Sequence, residues 1–250
     1  MMILVPFRIA LQFLTRLPVP VPEYRVEHLR QSLYWYAAVG SIIGLILWAA
    51  QTLFLQIFSW DADLIVSVLL LVLWVLLTGA LHLDGLADTA DAWLGARDDR
   101  EKALRIMKDP QSGPAGVVAI ALVLLVKFAT ILYLQQHQQF AYLLVVPVAA
   151  RAMVPLLFFT TPYLRAEGLG SAFSEGVEFM KILPGIAFAI ALGFLGNGSW
   201  WLVAMLIAGS VFWIFRAWMM ARLGGTTGDT AGALVEILEC SLLIACVWAA

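Results

Sequence analysis

Charge is scarce in this chain. Of its 250 residues, 13% are Asp, Glu, Lys or Arg, about half the ~25% of an average soluble domain. Too little charge to wet a surface excludes a soluble globular protein. Cysteine is limited to 2 residues. Cys240 and Cys246 fall in one apolar segment, on different sides of one helix, so neither a disulfide framework nor a zinc pattern can be built from them. No cleavable signal peptide is expected, because Arg8 and Arg16 interrupt the first apolar run and no small-residue cleavage site follows. No internal repeat suggests a transporter made of two related halves. The net charge of −2 says little about partners, and no nucleic-acid partner is expected.

What fills the chain instead is apolar. Hydrophobic residues make up 62% and the mean hydropathy is +0.91, with runs near the ~20 residues that cross a bilayer. The reading is an all-α, polytopic membrane bundle forming one domain over 1–250. Residues 1–20 look like an amphipathic lead-in closed by Pro18, Pro20 and Pro22. Apolar segments follow at about 36–58, 63–83, 114–135, 139–161, 182–197, 199–221 and 232–250. About seven spans are expected, or six if the short, glycine-containing fifth segment does not cross. Tyr34, Trp35, Tyr36, Trp60, Trp200 and Trp201 sit near segment ends, where interfacial aromatics belong.

The loops sort by basic charge. Ser59 to Ala62, Gln135 to Gln139 and Asn197-Gly198 contain no Lys or Arg. The alternate set holds Arg8, Arg16, Arg25 and Arg30, then Arg97 to Lys108, then Arg165 and Lys181, then Arg222. Basic loops stay cytoplasmic, which puts the N-terminus inside and the C-terminus outside.

At one of these cytoplasmic ends the apolar pattern breaks for His82-Leu83-Asp84-Gly85-Leu86-Ala87-Asp88-Thr89-Ala90-Asp91. On a helix Asp84, Asp88 and Asp91 fall within roughly 60° of one another. Two carboxylates about 5 Å apart repel by roughly 3 kcal/mol at an effective dielectric near 20. A cation is needed to hold them together. Magnesium is the obvious candidate, since it takes oxygen ligands and leaves positions for substrate phosphates.

Two further constellations share that face. From Asp99 to Met107 the pattern is a short amphipathic helix with Asp99 as its cap, ending in a Gly/Pro turn before the next span. The exposed N–H groups at that next helix start, beside Arg105 and Lys108, make a natural anion site. The second is Gly224-Gly225-Thr226-Thr227-Gly228-Asp229-Thr230-Ala231-Gly232-Ala233, with Glu236 and Glu239 beyond. Asp229 is a candidate cap for the last helix. Asp229, Gly232 and Glu236 share a face with a gap at the glycine. A Glu two turns into a membrane helix is costly and by default marks a site. Arg151 and Lys127 lie mid-span: Arg151 is expected to reach a carboxylate inside the bundle, as a structural pair or in a substrate role, and Lys127 to pair internally or to snorkel. His82 is expected to orient Asp84 or bond a carbonyl, and Glu167 to Ser171 form a loop suited to closing over substrate.

Taken in order, these motifs resemble the cobalamin synthase (adenosylcobinamide-GDP ribazoletransferase) family. The resemblance extends to Phe13-Leu14-Thr15-Arg16-Leu17-Pro18-Val19-Pro20 near the start and to Glu167-Gly168-Leu169-Gly170 in the middle. It implies a magnesium-dependent transferase of the bacterial inner membrane. Such an enzyme joins adenosylcobinamide-GDP to α-ribazole or its 5′-phosphate and releases GMP. In that frame Asp84, Asp88 and Asp91 would hold Mg2+. Asp229 would be a further ligand or the base, and Glu236 a base or a support for the metal. Arg105 and Lys108 would hold the leaving phosphate, with Asp109, Gly113, Gly116, Thr227 and Gly228 also binding substrate. Association with copies of itself or with other cobalamin-pathway enzymes is a further expectation. The rivals are a CDP-alcohol phosphotransferase or aspartate-rich prenyltransferase and, from another class, a cation-coupled transporter. Acids gathered on one rim rather than at the bilayer midplane argue against the transporter.

Overall fold

Twelve α-helices account for most of the described residues, which in this computed structural model are 4–20, 25–58, 62–165, 173 and 176–248. They are α1 (Leu4–Leu14), α2 (Val26–Ser32), α3 (Tyr36–Ile57), α4 (Asp63–Thr78), α5 (Leu81–Ala96), α6 (Arg100–Ile106), α7 (Pro114–Gln136), α8 (Ala141–Ala152), α9 (Val154–Thr160), α10 (Phe179–Asn197), α11 (Trp200–Leu223) and α12 (Gly228–Val247). A 3₁₀ turn, Leu33–Trp35, links α2 to α3. Among the described residues six stretches are long and apolar enough to cross a bilayer, or seven if α4 and α5 count as one broken span. The expected loop from Glu167 to Ser171 lies outside the described residues.

Burial sorts the helices. The α8–α9 stretch and α12 are each 78% buried in their most apolar window, whereas α7, α10 and α11 are 17–28% buried. The first two form the centre of the bundle, and the others turn most of their apolar surface outward, as lipid requires. Close approach at the centre depends on small residues. A Cβ on Gly40 would lie 2.6 Å from the carbonyl oxygen of Pro147, and one on Gly44 would lie 2.2 Å from that of Leu144. Backbone of α3 therefore rests directly on α8.

One expected span is broken. The apolar run from 63 to 83 reads as a single helix because its hydropathy never falls, but α4 ends at Thr78 and α5 leaves it at 86°. Gly79 (φ 62°) and Ala80 (φ 56°) make the corner in left-handed conformation, a form that glycine adopts freely and alanine does not. Their N–H groups close the α4 end on Leu76 and Val75. Arg16 packs into the corner: its N–H donates to the carbonyl of Leu77 at 2.8 Å, and a Cβ on Gly79 would collide with its side chain. Beyond the corner α5 passes first the start of α12 and then the start of α7. Its far end is pinned to α11 by Trp93 stacked on Trp218, with ring centroids 3.7 Å apart.

Candidate active site

The acidic helix and the glycine-rich turn meet backbone to backbone. A Cβ on Gly85 would lie 2.6 Å from the carbonyl oxygen of Asp229, and one on Gly232 would be 3.3 Å from the Cα of His82. The gap expected at Gly232 is therefore filled by α5 itself, not by a ligand. The contact places Asp84 and Asp88 beside Asp229, close enough for their charges to repel. Asp84 is exposed, and Asp88 and Asp229 are half-buried.

The cap of α12 is Thr227 rather than Asp229. The Thr230 N–H donates to Thr227 Oγ1 at 3.3 Å, and the Thr227 N–H donates to Thr230 Oγ1 at 2.8 Å, a reciprocal capping box. Thr227 is completely buried, so it shapes the turn and is not open to substrate. Gly228 is exposed, with open space around it. Because the cap is provided elsewhere, the Asp229 carboxylate is left for other partners. It forms an ion pair with Arg165, whose Nη2 also donates to the carbonyl of Met107 at 3.1 Å.

Arg165 is the residue that sequence reading missed, treating it as one more basic loop residue. A short parallel pairing brings it into place. The Leu164 N–H donates to the Thr226 carbonyl at 2.9 Å, and the Thr226 N–H donates to the Pro162 carbonyl at 2.8 Å. Gly225 makes this possible, since a Cβ there would lie 2.4 Å from the Pro162 oxygen. Nothing local in Pro162-Tyr163-Leu164-Arg165 signals a partner 64 residues away. Burial raises the Tyr163 phenol above its usual range, and the nearby Arg165 charge draws it part of the way back.

The expected anion site at the start of α7 is real, but Asp91 occupies it. Asp91 Oδ2 accepts from the Gly113 N–H at 2.6 Å, and Oδ1 accepts from the Gly116 N–H at 2.9 Å. A Cβ on either glycine would meet that carboxylate at 2.5 Å. Gly113 and Gly116 thus bind a side chain rather than a substrate phosphate, which satisfies two orphan N–H groups and the helix dipole together. Asp109 also turns inward on its own loop, accepting from the Gln111 N–H at 3.0 Å. Asp99 caps α6 as expected, accepting from the Lys102 N–H at 2.9 Å. Arg105 and Lys108 are exposed at the end of α6, flanking Met107, which touches both Arg165 and Thr227.

Glu236 is not in this site. It is buried and bonded to Lys127 at 2.6 Å. Lys127 also meets Glu239 at 2.5 Å, and Arg151 completes the group on the other Glu239 oxygen at 2.6 Å. Two cations and two anions from α7, α8 and α12 thus neutralise one another in the bundle core. Arg151 meets a carboxylate in the bundle interior, Lys127 pairs internally rather than snorkelling, and Glu236 is engaged by Lys127 and not by the rim. Lys127 further lies 4.8 Å from the Trp74 ring centre.

Asp84, Asp88 and Asp229 bring three carboxylates to one rim, near enough for their charges to interact. The three aspartates of α5 do not by themselves form a cage, since Asp91 is engaged by two amides. Among the described residues no three acidic, His or Cys side chains stand together as a metal cluster. Below the rim opens a cavity of about 270 Å³, with Asp84, Asp229 and Arg165 among its polar lining and His82, Tyr36, Phe158 and Phe173 among the rest.

A helical membrane bundle with carboxylates and one arginine gathered over a cavity has the makings of a group transferase acting on phosphorylated substrates. Comparison with known proteins gives the family. The model for cobalamin-5-phosphate synthase matches residues 6–247, and the chain belongs to that family. It is 50% identical to the adenosylcobinamide-GDP ribazoletransferase of Ectopseudomonas mendocina, covering 95% of this chain and 96% of that one. Proteins of the same name from Stutzerimonas stutzeri (46% identity, 96% and 97% covered) and Pseudomonas aeruginosa (47%, 95% of each) are similar over their full lengths. No solved structure matches the chain.

Proposed function

We propose that this protein joins adenosylcobinamide-GDP to α-ribazole, or to its 5′-phosphate, and releases GMP. The observation that carries the reading is the Gly85–Asp229 contact, which builds one rim from the acidic helix and the glycine-rich turn. In the reaction a ribazole hydroxyl attacks the phosphorus next to cobinamide, and GMP departs along the same line. Negative charge grows on the bridging oxygen, so cations aimed there lower the barrier.

Arg165 is positioned to act on that charge. Its partner is Asp229. An arriving diphosphate competes for the guanidinium, which suits planar, bidentate phosphate recognition. That exchange leaves the Asp229 carboxylate to take the hydroxyl proton. Arg105 and Lys108, exposed on the neighbouring helix end, would meet the GMP phosphate. Magnesium held by Asp84 and Asp88, with Asp229 beside them, would neutralise the diphosphate. The rim faces the cytoplasm of a bacterial inner membrane on this reading, because the loops around it carry the basic residues.

The test is release of GMP from adenosylcobinamide-GDP by purified protein in nanodiscs, with α-ribazole and magnesium supplied. GMP formed in step with a cobalamin product supports the reading. Hydrolysis to GMP with no ribazole incorporated would overturn it.

A further inference from the structure

Beside Arg165 and Asp229 stands a phenol that the reaction above leaves unused. Tyr163 lines the cavity with both of them, and its hydroxyl is near enough to feel both charges. Backbone holds it there. Tyr163 is the bridging residue of the short parallel pairing, with the two bonds to Thr226 falling on either side of it. Its ring packs on Phe158, with centroids 5.9 Å apart. On a paired, strand-like segment residues two apart face the same side, so Tyr163 and Arg165 are presented together. The surroundings also fix the direction of its hydrogen bonds. The Gly228 N–H, at the start of α12, is turned to the phenol oxygen. That N–H has no acceptor within its own helix, so the phenol oxygen accepts from it and the phenol proton points elsewhere. Among the described residues that proton meets no acceptor, and the Asp229 carboxylate is already engaged by Arg165 and by Thr227 Oγ1. A held hydroxyl with its proton to give, next to a guanidinium, makes a donor pair for an anion.

We propose that Tyr163 is a further catalytic residue, its hydroxyl donating to a non-bridging oxygen of the phosphate being transferred. This deepens the reading above and rests on it. In that step the ribazole oxygen bonds to the phosphorus next to cobinamide, and its proton passes to Asp229. The bond from that phosphorus to the bridging oxygen breaks, and its electron pair leaves with GMP. Charge in such a transition state is spread over the equatorial oxygens as well as the bridge. Arg165 is one cation facing several oxygens. The phenol beside it adds a neutral donor, which escapes the desolvation cost of burying a second charge. It also adds a fixed one. Paired backbone and a packed ring hold the hydroxyl in place before the reaction starts, so it need not reorganise as charge develops. Its position near both the proposed base and the proposed phosphate partner is where the equatorial oxygens of an in-line transfer would lie.

The test uses the full chain in nanodiscs with adenosylcobinamide-GDP, α-ribazole and magnesium. Tyr163→Phe keeps the ring on Phe158 and removes only the hydroxyl. Turnover should fall ~10²-fold, the low end for a lost oxyanion donor, with the melting temperature unchanged. KM for both substrates should stay within about twofold, since a bond made in the transition state lowers kcat and kcat/KM alike. A second readout tests contact directly. Sulfur in place of one non-bridging oxygen on the cobinamide-side phosphate is a weak hydrogen-bond acceptor. One of the two thio-diastereomers should slow the wild type more than it slows Tyr163→Phe, because the variant has no bond there to lose. A wild-type rate in Tyr163→Phe would overturn the proposal. So would equal slowing of both proteins by both diastereomers, which would leave the phenol as a prop for Arg165. A wild type that makes no cobalamin would instead retire the reaction itself, and this proposal with it.

Discussion

A Cβ on Gly85 would lie 2.6 Å from the carbonyl oxygen of Asp229, and the Cα of Gly85 itself is 3.6 Å from where a Cβ on Gly232 would stand. Two motifs far apart in sequence are joined by the absence of side chains between them. Gly85→Ala should therefore push α5 away from α12 by a fraction of an ångström to an ångström. A misplacement of about 1 Å can cost ~10²-fold in rate, so turnover should fall steeply while the protein still purifies as a folded bundle. GMP release and thermal melting measured on one preparation separate the two effects. Unchanged turnover would mean the rim tolerates the displacement and does not depend on this contact.

Asp229 and Arg165 give a second prediction. Because Thr227 caps α12, Asp229→Asn removes a charge and not a cap. Expression and melting temperature should stay close to wild type, while turnover drops by ~10²- to 10⁴-fold, the range for a lost general base. The magnesium concentration for half-maximal rate should rise if Asp229 also faces the ion. Arg165→Lys keeps the charge and loses the planar fork, and should raise KM for adenosylcobinamide-GDP more than that for α-ribazole. A normal rate in Asp229→Asn would remove it from the chemistry.

The Lys127–Glu236–Glu239–Arg151 group makes the opposite prediction. Removing one member of a buried, paired set leaves an uncompensated charge and costs about 3–5 kcal/mol. Glu239→Gln should be the most damaging, since Glu239 is bonded to both cations. Glu236→Gln should lower melting temperature and yield, but leave KM and the pH profile of the surviving folded enzyme unchanged. Lys127→Met combined with Glu236→Gln should recover part of the loss, because the pair leaves together. A Glu236→Gln variant that melts normally and has no activity would return Glu236 to the catalytic set.

Particular residues show what could be read without coordinates. The helical membrane class, the cap at Asp99 and the internal pairing of Arg151 and Lys127 follow from local rules: hydropathy, capping chemistry and the cost of charge in lipid. The α4–α5 corner was hidden because Gly79 and Ala80 do not lower the hydropathy of the run they break. The partners of Asp91 and Glu236 were hidden for one reason. A carboxylate in an apolar setting demands a partner, but sequence spacing cannot say whether that partner is a metal, an amide or a lysine on another helix. Arg165 was missed because its position is set by backbone pairing across the chain.

Membrane orientation can be checked at two exposed positions. Cysteine at Gln138, in a loop lacking Lys and Arg, should react with an impermeant thiol reagent added to spheroplasts. Cysteine at Ser112, beside the rim, should react only after lysis. Thr227, although part of the rim sequence, is fully buried and would stay silent from either side. Labelling of Ser112→Cys in intact spheroplasts would place the carboxylates away from cytoplasmic nucleotides and remove the proposed reaction.

Asp91 separates metal binding from architecture most sharply. Both of its oxygens accept amide bonds at the start of α7, and loss of such a cap costs about 0.5–2 kcal/mol. Asp91→Ala should therefore melt earlier and be less active, with the magnesium requirement of the folded fraction little changed. Asp84→Ala and Asp88→Ala should behave the other way. Each removes one charge from a repelling group, so the melting temperature should hold or rise slightly, while the magnesium needed for half-maximal rate climbs and turnover falls. Losses from Asp84 and Asp88 should combine non-additively, as expected of residues acting on one ion. Magnesium titrations of GMP release, paired with melting curves with and without the ion, read both axes. Should Asp91→Ala shift the magnesium midpoint as far as Asp84→Ala without lowering the melting temperature, Asp91 would be a metal ligand whose amide contacts are incidental.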